Sequence, residues 1–532
     1  MKQPRDSADG KSNLQSWIIA AIGLITTFAI WHLRYNFPFD DSFITFRYAE
    51  HLAHGAGLVW NIGGAHTEGY TNFFYVLLIA PSFWFGIDTL LWAQILNLFA
   101  YILSAVWIYR ITLDAIGNET RRTFNFIPIV LAVAFLLTPL VWMNALSAME
   151  TTFFGCLLLA SVYFFSRNIR LSFLFAVAAA LTRPEGTILG VILAVQYFRQ
   201  TAGKDRWKNP LIYFALPLAV YHVWRITYFG SLLPNSFLIK VVNPNAAGGT
   251  LFHGRAYVLM FLSSTMAIGL ASLLAFRSFR DSTSVRVMLL WTLAVLGFYM
   301  MPEAIMGLFD RFLYSAEVFL FVLAGVGLSN FAKERKLWVP IALMLLLLAL
   351  HTERSFHAPR ALEGRSSTVE TYRRYSKVAE ILKTIPDHEQ VSFGFADAGM
   401  IPFFSGLKHL DLVGLNDNEI ARAKSVDALL STIAKDSLDM IFVPLDLPGP
   451  EDDSCRHIFR AGHGLIGSHY LELVRDRRFA DYRTIVLIHS WTYDIAVMEN
   501  IHSRHARAIE AAFEVARKKE GELLLPPSYC SD

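Results

Sequence analysis

Apolar runs of membrane-crossing length recur along the first two thirds of this chain and stop near residue 350. They lie at 17–31, 90–109, 124–143, 151–166, 171–199, 211–229, 256–276, 287–306, 312–331 and 337–350. A helix needs about 20 apolar residues to cross the hydrocarbon of a bilayer. The run 171–199 is interrupted by Leu181–Gly186, LTRPEG, whose Arg, Pro and Glu do not belong at mid-bilayer; it predicts two short helices with a turn between them. The stretch 71–86, TNFFYVLLIAPSFWFG, is short and crowded with Phe, Tyr and Trp, which favour the membrane interface. It predicts a half-buried juxtamembrane helix that does not cross. About eleven helices are then expected to span. After His351 the pattern changes. Helix-period stretches at 366–384, 426–437 and 502–519 alternate with strand-like runs at 391–395, 439–444, 484–489 and 493–498, the signature of a small α/β domain. The expected division is a membrane domain over 1–350, with a large first loop at 34–89, and a tail domain over 351–532.

Composition agrees. Of 532 residues, 54% are hydrophobic and 17% are charged, against about 25% charged in soluble proteins; mean hydropathy is +0.40. That places the chain among polytopic membrane proteins. No basic tract or zinc-finger spacing points to nucleic acid. Cys156, Cys455 and Cys530 form no CxxC pattern. Cys455 and Cys530 both fall in the tail, as a disulfide or as two thiols.

Charge sets the expected orientation. The N-terminus and the loops around Arg110–Arg122, Arg167–Arg170, Arg199–Lys208, Arg277–Arg286 and Lys333–Lys336 are basic, so they are read as cytoplasmic. The alternate loops and the tail then face outward. Those outward loops collect ionisable residues. The first loop carries Asp40, Asp41, Arg47, His66, Glu68, Tyr70 and Asn72. Later loops add Glu150, then Arg183 and Glu185, then Asn235 and Lys240, then Asp310 and Arg311. Charge at a membrane boundary points to a functional site. Such a set combines general bases with cations able to hold a phosphate. Asp40 and Asp41 also fit a plain helix cap, and Asp310–Arg311 a local ion pair. His51 and His54 stand three apart, two ligands at most.

In their order, these motifs resemble a known family. DDSFITFRYAEHLAHGAGLVWN followed by EGYTNFFYVLL is similar to the opening of the GT-C glycosyltransferases, above all the polyprenyl-phosphate-sugar-dependent arabinofuranosyltransferases. SAMET, LTRPEG, LLPNSFLIK, DRFLY and, in the tail, FADAGMIPFFSGLKHLDLVGLND extend the resemblance over most of the chain. Two positions depart from the family's S-G-L-E-T turn: Ala148 stands for Gly and Met149 for Leu. The resemblance implies an α-helical polytopic GT-C protein of the plasma membrane with an extracytoplasmic α/β domain. It implies transfer of a sugar, arabinofuranose or another pentose among the candidates, from a polyprenyl-phosphate donor to a cell-envelope glycan or glycolipid by inverting displacement. Asp40, with Asp41 beside it, would be the catalytic carboxylate. Arg183, Lys240 and Arg311 would hold the donor phosphate. Arg47, His66, Glu68, Tyr70, Asn72, Glu150, Glu185, Asn235 and Asp310 would bind sugar or acceptor. A divalent cation is left open, and the chain is expected to act as a monomer. A flippase of lipid-linked sugars and a non-catalytic glycan-binding scaffold are the alternatives.

Overall fold

The computed structural model describes residues 5–32, 38–116, 124–239, 254–301, 308–333, 338–357, 359–423, 425–445, 470–488, 494–521 and 523–525. Lys240, Cys455 and Cys530 lie outside the described residues, and Cys156 is a buried free thiol.

The first two thirds form a helical bundle, and the protein is a multi-pass membrane protein. Among the described residues, three helices are long and apolar enough to cross alone: Ser12–Ile30, Thr89–Ala115 and Tyr314–Ala332. Two bent pairs raise the number to five: Phe126–Leu137 with Pro139–Leu146, at 55°, and Arg255–Ser264 with Met266–Ser278, at 81°. The bend after Leu137 has a local cause, since Pro139 has no N–H to continue the ladder. Other apolar helices are shorter, among them Thr151–Phe165, Ile169–Thr182 and Thr283–Tyr299. By length and apolarity the described helices therefore fall short of eleven spans, because polar turns divide several of the apolar runs. The expected break at LTRPEG is present, between Ile169–Thr182 and Gly186–Gln200. Residues 71–86 form two short helices, Phe73–Ile79 and Pro81–Trp84, with Trp84 and Phe85 exposed.

The helix Trp338–His357 runs past the expected boundary at 350, and Pro359–Lys383 follows it into the tail. The tail holds a six-stranded mixed sheet in the order β2-β1-β3-β5-β4-β6. The strands are β1 (Ser392–Phe395), β2 (Lys408–Asp411), β3 (Met440–Leu445), β4 (Tyr482–Ile488), β5 (Asp494–Asn500) and β6 (Leu524–Leu525). β1 is parallel to β2 and β3; the β3–β5, β5–β4 and β4–β6 pairs are antiparallel.

Tail and first loop share one hydrophobic core. Phe43 and Phe46 of the helix Asp40–Ala53 pack on Phe403, and Phe43 also meets Phe404. Polar groups follow the same seam. Arg47 is buried and donates to the carbonyls of Trp60, Pro402 and Leu407 and to the Asn61 side chain. Burial lowers its pKa to about 10. Tyr48 donates to the Thr67 carbonyl and to Asn416, and accepts from the Gly69 N–H. At the free edge of the sheet, the Asn61 amide donates to the His409 carbonyl at 2.9 Å and accepts its N–H at 3.1 Å. A side chain thereby imitates one residue of a neighbouring strand.

The turn Ser147–Glu150 is held from several sides. Gln94 and Asn97 donate to the carbonyls of Leu146 and Met149, Tyr75 donates to Ala148, and the Phe39 N–H donates to Ser147. Ala148 adopts φ +62°, a left-handed conformation that costs a residue with a Cβ about 1–2 kcal/mol. The glycine in the S-G-L-E-T turn that this segment resembles would fit this backbone without that cost. Ala148 and Ala132 both bury their methyl groups, but Ala132 lies in an ordinary helix. Ala132→Gly is expected to cost about 2 kcal/mol more than Ala148→Gly, because glycine weakens the helix at one site and relieves the backbone at the other. Thermal midpoints of the detergent-solubilised variants measure the difference; equal losses would contradict the left-handed turn.

Candidate active site

Several helix ends converge on one polar cluster. Asp40 and Asp41 open the helix Asp40–Ala53; Glu150 precedes Thr151–Phe165; Arg183 and Glu185 fill the break before Gly186; Tyr299 ends Thr283–Tyr299; Asp310 and Arg311 precede Tyr314–Ala332. A helix terminus leaves backbone groups unpaired, so polar side chains gather there at low cost.

Asp40 does not cap its own helix. Its carboxylate accepts N–H bonds from Gly399 at 3.0 Å and Met400 at 2.7 Å, at the start of the tail helix Met400–Ser405. Burial raises its pKa well above the usual carboxylate range, and the charges of Asp397 and Asp41 add to this, against the two N–H bonds. Asp41 turns the other way and pairs with Arg311 at 2.6 Å. Adjacent helical residues diverge by about 100°, so the two carboxylates serve different partners.

Arg311 is buried, its guanidinium flanked by Phe39 at 5.5 Å and Phe312 at 4.9 Å. Its Nε and Nη1 meet no acceptor among the described residues. Phe309 and Asp310, just before it, both have positive φ, 56° and 53°. Asn144 holds that strained turn by donating to the Phe309 carbonyl at 2.7 Å, and Ser264 donates to Asp310 at 3.2 Å. Strain held in place by its surroundings is a frequent mark of functional sites.

Arg183 lies on Phe312, 5.4 Å from the ring centre. It donates to Glu150 at 3.0 Å, to Glu185 at 3.0 Å and to Tyr299 at 3.0 Å. Tyr299 donates its hydroxyl to Glu185. Glu150 also accepts from Asn72 at 3.0 Å, and Asn72 donates to Thr45 at 2.9 Å. The path from Asp41 through Arg311, Phe312, Arg183, Glu150 and Asn72 therefore closes back on the helix that begins at Asp40.

The fold has known counterparts. In sequence, residues 365–498 match a domain of unknown function (DUF8728), and no curated protein matches. In structure, the chain is similar to ArnT from Cupriavidus metallidurans bound to undecaprenyl phosphate, at 13% identity and a TM-score of 0.55, over 91% of this chain and 98% of that one. It is similar to the archaeal oligosaccharyltransferase AglB from Archaeoglobus fulgidus, in complex with an inhibitory peptide and a dolichol-phosphate, at 11% identity and a TM-score of 0.51, over 94% and 77%. The arabinofuranosyltransferase AftD from Mycobacteria matches at 15% identity and a TM-score of 0.50, over 92% of this chain and 42% of that one. The chain has the GT-C fold.

Within this GT-C fold the remaining sequence candidates fall into separate groups. Glu68 pairs with Arg225, and both are buried. His66 stacks on Tyr228, centroids 4.1 Å apart and planes within 7°. Tyr70 is buried edge-on to Tyr48. Asn235 donates to Asn418 at 3.0 Å and to the Leu415 carbonyl at 3.3 Å, so it meets the tail. Arg47 is taken up in the seam described above. His51 presents Nδ1 to the Val59 carbonyl. Among the described residues, no group of three or more His, Cys, Asp and Glu is placed to hold a metal. A pocket in the tail, lined by Arg483, Thr484, Glu510, Phe513, Glu514 and Arg517, involves none of these residues.

Arg225, Tyr299, Thr45 and Asp397 were missed in the sequence. Arg225 had a signal: a lone cation between Trp224 and Ile226 in an apolar run demands a buried partner. Arg225→Ala would strand the buried Glu68 carboxylate and should cost about 3–5 kcal/mol. Arg478→Ala, at a solvent-facing pair with Asp476 and Asp427, should barely move the thermal midpoint.

Proposed function

We propose that this protein is a membrane glycosyltransferase that moves a sugar from a polyprenyl-phosphate donor to a hydroxyl of a cell-envelope glycan or glycolipid. One observation carries the reading: a buried arginine whose Nε and Nη1 meet no acceptor among the described residues stands beside a carboxylate pair where helix ends converge. That is a place for an anion next to a place for a base. Undecaprenyl phosphate and dolichol-phosphate in the similar structures are anions of this kind.

In the proposed reaction Asp40 takes the proton of the acceptor hydroxyl. The oxygen attacks the anomeric carbon, the bond to the phosphate oxygen breaks, and a single displacement inverts the configuration. Arg311 receives the departing phosphate, because a cation aimed at developing negative charge favours the transition state. Arg183 contributes less, since Glu150 and Glu185 already neutralise it; its part is to hold those carboxylates for sugar hydroxyls. Asp41 keeps Arg311 in place. Arabinofuranose and other pentoses are the candidate sugars on the sequence resemblance. The active face and the tail are proposed to lie outside the plasma membrane, with the N-terminus in the cytoplasm.

Asp40→Asn should lower kcat about 10²–10⁴-fold while donor binding survives. Arg311→Ala should weaken donor binding by about 1.5–3 kcal/mol. Transfer of labelled sugar and separate binding of the polyprenyl phosphate distinguish the two; full turnover in Asp40→Asn would sink the assignment. A base works only when ionised, so activity falls as pH drops through its pKa. Because that of Asp40 is raised, the acid limb of kcat/KM should lie above the ordinary carboxylate range.

A further inference from the structure

The donors that hold Asp40 come from the tail. A Cβ built on Gly399 would stand 2.0 Å from the Asp40 carbonyl oxygen and 2.4 Å from its Oδ2, so only glycine lets the tail turn approach this closely. Two residues before Gly399 is Asp397, half-buried in the same turn. Tyr375, on the helix Pro359–Lys383, donates its hydroxyl to Asp397 Oδ2 at 2.5 Å. Tyr375 is buried against Phe395 of β1, so the direction of that bond is fixed by packing. A donor aimed at a carboxylate favours its ionised form.

Among the described residues, the charges that act on Asp40 come from two elements. On its own helix Asp41 is turned toward Arg311, which comes from the turn before Tyr314. From the tail come Asp397 and its partner Tyr375. After burial, the Asp397 charge is the larger influence that makes Asp40 hold its proton, ahead of Asp41. Phe43, one turn on, packs on Phe403, Phe404 and Tyr372, so apolar rings exclude water from this side of the turn.

We propose that Asp397 completes the reaction centre from the tail, as a positioning residue acting through Asp40. The inference rests on Asp40 being the base. An anion beside a carboxylate makes that carboxylate the stronger base, and the Tyr375 hydroxyl favours the ionised form of Asp397. The same turn orients Asp40 through the Gly399 and Met400 N–H groups. Transfer therefore depends on the tail being docked: without it Asp40 loses both its donors and the neighbour that sets its basicity.

The test uses the full-length protein in detergent. Thermal midpoints are measured between about pH 4 and about pH 8 for the wild type, Asp40→Asn, Asp397→Asn and the double variant. Folded Asp40 keeps its proton to a higher pH than unfolded Asp40, so its ionisation lowers stability as pH rises through that interval. Two like charges repel only when both are present. The coupling between the two positions should be absent near the acid end and grow with pH, the double variant gaining less than the sum of the singles. With decaprenyl-phosphate arabinofuranose as the probe, Asp397→Asn should move the acid limb of kcat/KM down by about one pH unit. Tyr375→Phe keeps both carboxylates, covers the case in which Asp397→Asn fails to fold, and should move the limb the same way by less. A coupling of zero at every pH, or an acid limb unmoved in both variants, overturns the inference. A coupling that grows with pH in a wild-type protein that transfers no arabinofuranose supports the Asp40–Asp397 pairing and removes arabinofuranose as the donor sugar.

Discussion

A carboxylate at the end of an apolar bundle must be solvated by protein, and Asp40 is solvated by backbone N–H groups some 360 residues away in sequence. Much of the architecture follows from that requirement. The tail turn has to reach the helix Asp40–Ala53, and the helix has to hold the tail. Asp40, Arg47 and Tyr48 do both. Residues seven apart share a helix face, and from that face Arg47 engages the carbonyls that end the tail helix, while Tyr48 reaches Asn416. Setting a charge at the end of the helical bundle and docking a domain on it are here one structural problem with one solution.

The cations follow a related logic. Arg183 is closed in by Glu150, Glu185 and Tyr299, a network whose members satisfy one another. Arg311 has Asp41 as its ion-pair partner and the rings of Phe39 and Phe312 against its guanidinium, and among the described residues part of its donor set meets no acceptor. Burying a guanidinium this way is costly. Two strained backbones frame the same region, at Ala148 and at Phe309–Asp310. A fold selected for stability alone would not concentrate strain and underpaired charge in one place.

Much of this was legible in the sequence. The class followed from hydropathy, the α/β tail from the change of period after His351, and the broken run at LTRPEG from a proline between two charges. Periodicity reports how each segment meets its surroundings, and the surroundings of these segments are simple. The cluster was legible as a set because Asp41, Asn72, Glu150, Arg183, Glu185, Asp310 and Arg311 all sit where apolar runs end. What could not be read was the pairing. Nothing local marks Arg47 as a clamp on the tail, because its acceptors are backbone carbonyls of Pro402 and Leu407, which carry no sequence signature. Tyr299 looked like one more apolar residue inside the run 287–306. The count of spans was the least legible feature: helices such as Thr151–Phe165 and Ile169–Thr182 are too short to be judged by apolar length alone.

The Asn61 amide on β2 has a consequence for the tail as an object in its own right. A strand at the margin of a sheet offers unpaired N–H and C=O groups, a template on which another chain can add. Here the position is occupied at His409 by a side chain of the first loop, with Trp60 donating to His409 beside it. The blocking group belongs to the membrane part. Cut free, the sheet would present that margin bare, together with the aromatic surface of Phe403 and Phe404 that now meets Phe43. The tail is therefore a poor candidate for an independent module that could be shuffled between proteins. The loop that the tail covers also guards the margin of its sheet.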